Sequence, residues 1–473
     1  MAGLRTAESA RRAGYVGPIT FLGAEKHTPY NRPPLSKELL QTDGQGHADV
    51  AFPIRSALEQ GVTWVLGRAA ASLDVERRVV VDELGDEHPY AAVVIATGLR
   101  PKPLPIENHG LGGIHVLRTI DDAVGLRDVL RPGANIVILG SGFIGCEIAA
   151  TAAKNGSNVS VVTQSQIPLE RALGTHLGAE LRRRHEAHGV RFFCGESLFG
   201  LVGEVSVQRV ILTSGVMLEC DALVVAVGSD PNTEWLAGSN LEISNGVLVN
   251  AAMQAVTADG VVLPDVFAAG DVARYSNPLF DDVARRVEHW NLPTETGKRA
   301  GTVIAALLGA AARRDGVAAA ADRADAVAVA GAGADGVAVA VAGADGVAVA
   351  VAGADGVAVA DGAAVAAADA VAGAGAVAGV ADQVAAVVDA PFAPLPSFWS
   401  DQYDAHLLAF GMTSLADRSE LVSGRVDDEC VVEYFRGDEL VGVCGIGMRS
   451  TVQSYRSRFT APALPPAPDA ARA

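Results

Sequence analysis

The sequence predicts an α/β protein of two interleaved strand–turn–helix domains followed by a small α+β domain. Three observations predict it. Apolar strands stand directly before glycine turns at "AAVVIATG" (91–98), "ANIVILGSG" (134–142), "DALVVAVGS" (221–229) and "DVFAAGD" (265–271), with helical stretches between them. One of them runs on through a helix to a second strand, "IVILGSGFIGCEIAATAAKNGSNVSVVT" (136–163). The texture then changes at "PFAPLPSFWSDQYD" (391–404), which leads to short strands in "DECVVEYFRGDELVGVCGI" (428–446), a turn at Arg436–Glu439 and a final helix over 448–459.

A chain of 473 residues is long enough for two to four domains and for full-sized cores. Its five cysteines, Cys146, Cys194, Cys220, Cys430 and Cys444, form no C-x-x-C pair and no Cys/His cluster. That argues against a zinc site or a redox dithiol and suits a reducing compartment, the cytoplasm. The Arg-rich N-terminal stretch lacks the apolar core of a signal peptide. The apolar run "GTVIAALLGAAA" (301–312) is too short to span a membrane. The net charge of −18 disfavours binding to nucleic acid.

In chain order, residues 2–13 place Ala2, Leu4, Ala7, Ala10 and Ala13 at helical spacing. A buried strand, Ile19–Leu22, follows, with Glu25 just past its end. Helix, strand and terminal acid are the back half of a dinucleotide-binding βαβ unit. Gly3 stands where its third glycine belongs; the preceding strand and its G-x-G are not in the sequence. The expectation is that the natural start lies upstream. Without that strand, the strands around 19–22 and 91–96 would lose ladder partners.

The strongest motif is G-x-G-x-x-G at Gly140, Gly142 and Gly145, set between a strand and a helix. Gly140 permits the tight turn, Gly142 lets the backbone approach a pyrophosphate, and Gly145 lets helix and strand pack closely. The helix N-terminus, beginning at Phe143 and Ile144, adds N–H groups and a positive dipole end. Thr163 ends the following strand, where an acid would read the ribose of NAD and basic residues would read the phosphate of NADP. Thr163 and Gln164 match neither, so NADH and NADPH both stay open. The glycine-ended strands at Thr97–Gly98 and Gly228 mark exits between interleaved domains. Asp271, after Gly270 at a strand end, is placed to accept hydrogen bonds from a flavin ribityl chain.

Residues 313–390 are almost all Ala, Val, Gly and Asp, with "GADGVAVA" recurring at 333, 343 and 353. Ten Asp against three Arg there carry −7 of the net −18, so the remainder carries −11. With no aromatic, Leu or Ile, the segment is expected to be a low-complexity insertion, disordered or weakly structured, and a passenger for catalysis. A Ca²⁺-binding β-helix is the other reading, disfavoured by the period of ten and the single Asp per unit.

The motifs "YNRPPLSK" (30–37), "ATGLRPKPLP" (96–105), "HVLRTIDDA" (115–123), "GSGFIGCEIAA" (140–150), "FAAGDVA" (267–273), "VEHWNLPTETGKRAG" (287–301) and "PLPSFWSDQYD" (394–404) together resemble the FAD-dependent ferredoxin reductases of oxygenase systems. This is the putidaredoxin, rhodocoxin and rubredoxin reductase family. The likeness covers nearly everything outside 313–390. It implies two interleaved Rossmann-like domains, glutathione-reductase-like: an FAD domain in two parts (1–108 and 233–312), an NAD(P) domain (109–232), the insertion (313–390) and a C-terminal domain (391–473).

The same resemblance implies electron flow from NADH, or NADPH, through FAD to an iron–sulfur ferredoxin or a rubredoxin, by a monomer or weak homodimer, with no metal in the protein itself. Pro33 and its neighbour stiffen the chain beside the flavin ring. Lys37 offers a cation where negative charge develops on reduction. Glu147, one turn into the nucleotide helix, faces the nicotinamide amide. Trp290 and Trp399 flank the flavin or serve as core, and Glu288 and His289 stand near the ring. Further cofactor contacts are implied at Arg32, Ala70, Arg127 and Arg171. A disulfide reductase of this architecture needs C-x-x-x-x-C near the flavin, which is missing. Other one-electron acceptors, such as quinones or organic radicals, and a nonenzymatic NAD-binding remnant remain alternatives.

Overall fold

The computed structural model describes residues 1–41, 50–58, 61–108, 110–322, 339–341, 349–351 and 381–459. The first helix, Ala2–Arg12, buries Ala2, Leu4, Ala7 and Ala10. Ala13 leaves the expected apolar face, because it caps the helix and is exposed. The buried face lies on the long helix Leu292–Asp322. Two glycines one turn apart permit the close approach. A Cβ on Gly297 would strike the carbonyl of Ala2, and one on Gly301 the carbonyl of Thr6. Ser9 Oγ then donates to the Lys298 carbonyl at 2.9 Å.

Strand Ile19–Gly23 pairs in parallel with Val62–Leu66 as a two-stranded sheet, and Phe21 stacks on Trp64 at 4.2 Å. A separate three-stranded sheet runs in the order Gln254–Val256, Val262–Ala268, Val93–Ile95. Among the described residues no ladder joins the two sheets. A meander of Ala70–Asp74, Val79–Asp82 and Glu87–Pro89 packs beside them.

The second nucleotide domain is built differently. Its five parallel strands run in the order Arg191–Cys194, Asn158–Thr163, Asn135–Leu139, Ala222–Val225, Ile114–His115. The central strand is apolar on both faces, with Ile136 and Ile138 fully buried, as parallel sheets covered by helices require. The exits between the two domains pair with each other: Leu99–Pro101 runs antiparallel to Ser229–Pro231. Thr97 and Asn232 exchange hydrogen bonds at 2.8 and 2.9 Å beside that crossing.

The C-terminal domain is one antiparallel sheet of five strands, beginning at Ser397–Gln402 rather than only within 428–446. Its turn falls between Arg436 and Glu439. The expected final helix is shorter, an α-helix over Arg449–Ser454 continued as a 3₁₀ turn over Tyr455–Arg458.

Parts of the insertion carry regular structure. Helix Leu292–Asp322 continues into it, and Val339–Val341 pairs antiparallel with Val349–Val351. Residues 381–388 are helical. Arg299 donates to the carbonyls of Val387, Val388 and Ala390 at 2.6–2.9 Å, while Val387 and Val388 pack on the first domain's core. Valine and alanine suffice there because Arg299 satisfies the helix's orphan carbonyls. The rest of the repeat lies outside the described residues.

Candidate active site

The three glycines of the second domain have distinct surroundings. Gly140 has φ of +107°, and a Cβ there would strike the Ala226 carbonyl. A Cβ on Gly145 would strike the Gly140 carbonyl. A Cβ on Gly142 would meet nothing within 4 Å. Gly142 is the N-cap of helix Phe143–Lys154 and provides no side-chain cap. Two of the glycines therefore serve packing. The third leaves open space before bare helix amides, which fits the pyrophosphate of a nicotinamide dinucleotide.

Thr163, expected to meet the ribose, is turned inward. Its hydroxyl accepts from Ser141 Oγ at 2.8 Å and from the Ser165 amide at 3.3 Å. The exposed residues at that strand end are Gln164, Ser165 and Gln166. Arg171 is exposed near the start of the next helix. Gly228, with φ of +104°, is the exposed turn after the fourth strand.

In the first domain, cations gather at the N-terminus of helix Ala2–Arg12. Glu25 accepts from Tyr30 and from Arg32, the latter at 2.6 Å. Arg32 also reaches the Arg118 carbonyl. Arg118 faces Asp271 at 3.5 Å, and its buried Nε has no partner. Burial raises the Asp271 pKa, and Arg118 opposes that rise. Gly270, at φ of +81°, brings Asp271 against the helix start, where a Cβ would come 2.9 Å from Ala2. Gly3 is the next residue of that helix, and a Cβ there would meet Ala96 and Phe21 only at ordinary distance. Thr97 and Gly98 border this region, where a Cβ on Gly98 would come 3.2 Å from Arg118 Nη2. A diphosphate and a hydroxylated chain fit this donor set, and the orphaned guanidinium nitrogen is an unfilled hydrogen-bond position.

Between the domains lies the ring region. Lys37 Nζ is 2.8 Å from Glu147 Oε2, with both side chains largely buried. Pro33 opens the 3₁₀ turn Pro33–Ser36 that delivers Lys37. Glu147 also accepts from Ser36 Oγ at 2.5 Å and from Ser400 Oγ at 2.6 Å. Phe143 packs on Phe398, and His289 meets the same ring edge-on, each at 5.0 Å between centroids. Burial pushes His289 down to about 4, and its buried Nδ1 has no partner. Trp290 and Trp399 meet edge to face at 4.9 Å, and Trp290 is 37% exposed. Trp290 Nε1 donates to Asn31 Oδ1 at 3.0 Å. Glu288 is exposed and takes Arg286 and Ser229.

Ile144 is exposed beside the nucleotide turn. Ala70 opens its strand against the first domain's core. Arg127 ends the helix Ile120–Arg127, 4.0 Å from Asp128. Sequence reasoning missed Ser36, Arg118, Ser400 and Gln402. For Ser400 and Gln402 the signal was available, because Phe398, Ser400 and Gln402 alternate on one face of a strand.

Two family models match. Residues 1–297 match the pyridine nucleotide-disulphide oxidoreductase model and residues 397–472 the reductase C-terminal model. The chain belongs to the pyridine nucleotide-disulphide oxidoreductase family. Within it, the chain resembles the ferredoxin and rubredoxin reductases. It is 35% identical over 282 residues to a probable ferredoxin reductase of Castellaniella defragrans, covering 59% of this chain and 68% of that protein. It is 34% identical over 291 residues to the ferredoxin–NAD(+) reductase component of the biphenyl dioxygenase system of Paraburkholderia xenovorans, covering 61% and 68%. The covalent putidaredoxin reductase–putidaredoxin complex contains a similar fold, with a TM-score of 0.73 at 22% identity over 97% of this chain and 90% of that one. The family's disulfide chemistry has no counterpart among the described residues, where all five cysteines are unpaired. No described helix is long and apolar enough to cross a membrane.

Proposed function

We propose that this protein is an FAD-dependent oxidoreductase that passes electrons from NAD(P)H to a ferredoxin-type iron–sulfur protein serving an oxygenase. The observation that carries the reading is the Lys37–Glu147 pair. At 2.8 Å it ties a loop of one nucleotide domain to the nucleotide-turn helix of the other. That is where a flavin ring and a nicotinamide would have to meet. The names of the similar reductases from dioxygenase and related systems support the same acceptor class.

When bound, FAD supplies the redox chemistry, exchanging a hydride with the nicotinamide and single electrons with the acceptor. The protein's part is positional and electrostatic. Gly142 and the amides at the start of Phe143–Lys154 would hold the nucleotide pyrophosphate. Arg32, Arg118 and Asp271 would hold the flavin's phosphates and ribityl chain. Lys37 places an ammonium where the reduced ring gathers negative charge. Glu147 fixes that ammonium, and neutral His289 presents an unpartnered Nδ1. Trp290 and Trp399 close the side nearest solvent and form the face an acceptor approaches. NADH is favoured by the habit of the family and only modestly, since residues 163–166 hold neither an acid nor a base to set the choice. A reducing compartment, the cytoplasm, suits five unpaired cysteines.

The test is anaerobic titration of the flavin-loaded protein with NADH, followed by ferredoxin-dependent reduction of cytochrome c. The expected result is bleaching of the flavin absorbance and acceptor turnover. Lys37→Met should slow flavin reduction on the order of 100-fold. A flavin-loaded protein that NADH does not bleach would overturn the reading.

A further inference from the structure

Strand Ser397–Gln402 has two faces of different chemistry. Ser397, Trp399 and Asp401 lie on one, and Trp399 meets Trp290 there. Phe398, Ser400 and Gln402 lie on the other, 8%, 0% and 1% exposed. The buried face carries a continuous hydrogen-bonded chain. Ser400 Oγ stands 2.6 Å from Glu147 Oε1, Gln402 Nε2 3.1 Å from Ser400 Oγ, and His185 Nε2 2.9 Å from Gln402 Oε1.

The direction of every bond follows from its end. A carboxylate only accepts, so the Ser400 proton points to Glu147. The Ser400 oxygen then takes the Gln402 amide, which turns the Gln402 oxygen to His185. His185 must therefore carry its proton on Nε2. Its Nδ1, buried and without a partner, is the unprotonated nitrogen. On the other carboxylate oxygen, Ser36 and Lys37 donate at 2.5 and 2.8 Å. All the donors in this network thus converge on Glu147. They come from three parts of the chain: Ser36 and Lys37 from the first domain, His185 from the second and Ser400 and Gln402 from the C-terminal sheet.

We propose that Ser400 is a positioning residue for the Lys37–Glu147 pair. It completes the carboxylate's hydrogen-bond shell so that Glu147 holds the Lys37 ammonium in one place, with Gln402 and His185 setting the direction of the Ser400 hydroxyl. One strand of the C-terminal domain therefore shows a tryptophan outward, on the acceptor side, and secures the hydride-side carboxylate inward. The inference rests on the reading of Lys37 as the cation beside the flavin ring.

The test is a double-mutant cycle read as the midpoint potential of the bound flavin, in wild type, Ser400→Ala, Lys37→Met and the double variant. Ser400→Ala should change the equilibrium constant for two-electron reduction about tenfold, which is about 30 mV. Ser400→Thr, which keeps the hydroxyl, should restore it. In the Lys37→Met background, removing the Ser400 hydroxyl should change nothing further, since the two act as one unit. An equal shift with and without Lys37 would mean that Ser400 acts through general packing, and would overturn the proposal, as would no shift at all. If Lys37→Met alone leaves the potential unchanged, the reading of Lys37 fails instead. The Ser400–Glu147 shell then stands or falls on ¹⁵N NMR of the His185 ring in the flavin-loaded protein. The Nε2–H form is expected, perturbed by Glu147→Gln and by Ser400→Ala. An Nδ1–H form, or insensitivity to both substitutions, would show that the chain of donors does not exist.

Discussion

The two nucleotide-binding domains share a plan and differ in how their sheets close. In the second, Asn135–Leu139 lies between Asn158–Thr163 and Ala222–Val225, hydrogen-bonded on both sides. Ile136, Val137 and Ile138 are at most 1% exposed. In the first, among the described residues, Ile19–Gly23 has a ladder to Val62–Leu66 alone, and Val93–Ile95 has one to Val262–Ala268 alone. The first domain adds the close contact of helix Ala2–Arg12 with helix Leu292–Asp322, closed by Gly297 and Gly301. The difference teaches that helix packing can preserve the layout of a parallel sheet whose strands are not all laddered together. The layout places the site residues; the ladder supplies the cooperativity.

The sharpest measure of that comparison is hydrogen exchange. Amides of Ile19–Gly23 should be less protected than those of Asn135–Leu139 by roughly a thousandfold, about 4 kcal/mol in local opening free energy. The physical source is a strand with one paired edge and partial exposure against one with two paired edges and full burial. Equal protection in the two strands would show that the helix pair alone makes the first domain as cooperative as the second.

Gly142→Val tests whether the intact domain does the nucleotide work. Gly142 has φ of −75° and ψ of −176°, an extended conformation that any residue adopts. The valine would enter empty space, so the fold should survive. It would fill the position of the pyrophosphate, and NADH affinity should fall roughly 100-fold. Flavin content should be unchanged, because the flavin phosphates belong to the other domain. Normal NADH-dependent bleaching would mean that the two domains have been assigned the wrong nucleotides.

The second domain was legible almost residue by residue, because a glycine fingerprint between a strand and a helix has few alternative structures. Strand Asn158–Thr163 falls where its apolar run ends. The first domain was legible only in its local elements. The pairing of Ile19–Gly23 with Val62–Leu66 joins residues more than forty positions apart, and period-two patterns carry no partner information. Thr163 was placed correctly on the chain, yet its hydroxyl turns to Ser141, a rotamer choice that strand position does not encode. Ser36 was silent for the same reason. A serine reads as polar surface until the carboxylate it serves is known. In the insertion, Ala/Val composition gave no sign that 381–390 would dock, since the recognition comes from Arg299, far away in sequence.

That docking gives the next test, and it again separates what the first domain borrows from what it owns. Deleting 323–380 should leave the melting temperature within about 2 °C, because the deletion spares the Arg299 contacts. Extending the deletion to 390 removes three carbonyl partners of Arg299 and the packing of Val387 and Val388. At about 1 kcal/mol for each lost hydrogen bond, the melting temperature should fall on the order of 5 °C. The second domain's hydrogen exchange should not move. Equal melting of the two deletions would show that 381–390 contributes nothing to the first domain.

The smallest effect concerns the seam between the second domain and the C-terminal sheet. His185 is fully buried there, facing Gln402, Tyr403, Phe192 and the neighbouring His188, with Arg184 bound to Glu180 and Asp404 beside it. Burial is the main cause that pushes its pKa down, to about 4, while the Gln402 hydrogen bond opposes the shift. An unfolded histidine titrates near 6.5. Between those values the unfolded chain holds a proton that the folded one does not. Stability therefore falls as pH drops from about 6.5 toward 4, and the loss is complete below the folded value. The slope from this group is about 1 kcal/mol per pH unit within the window and vanishes above it. Carboxylates such as Asp281, held low by Arg285 and Arg436, also weaken the fold in acid, so the wild type alone does not isolate the histidine. The quantity to measure is the difference in unfolding free energy between wild type and His185→Gln from pH 7.5 to 4.5. Glutamine cannot take the proton but can still donate to Gln402. The difference should be flat above pH 7 and should move in favour of the variant as pH falls below 6.5. A difference that stays constant across the range would mean that His185 is not held neutral at the seam, and that the seam's acid sensitivity comes from its ion pairs alone.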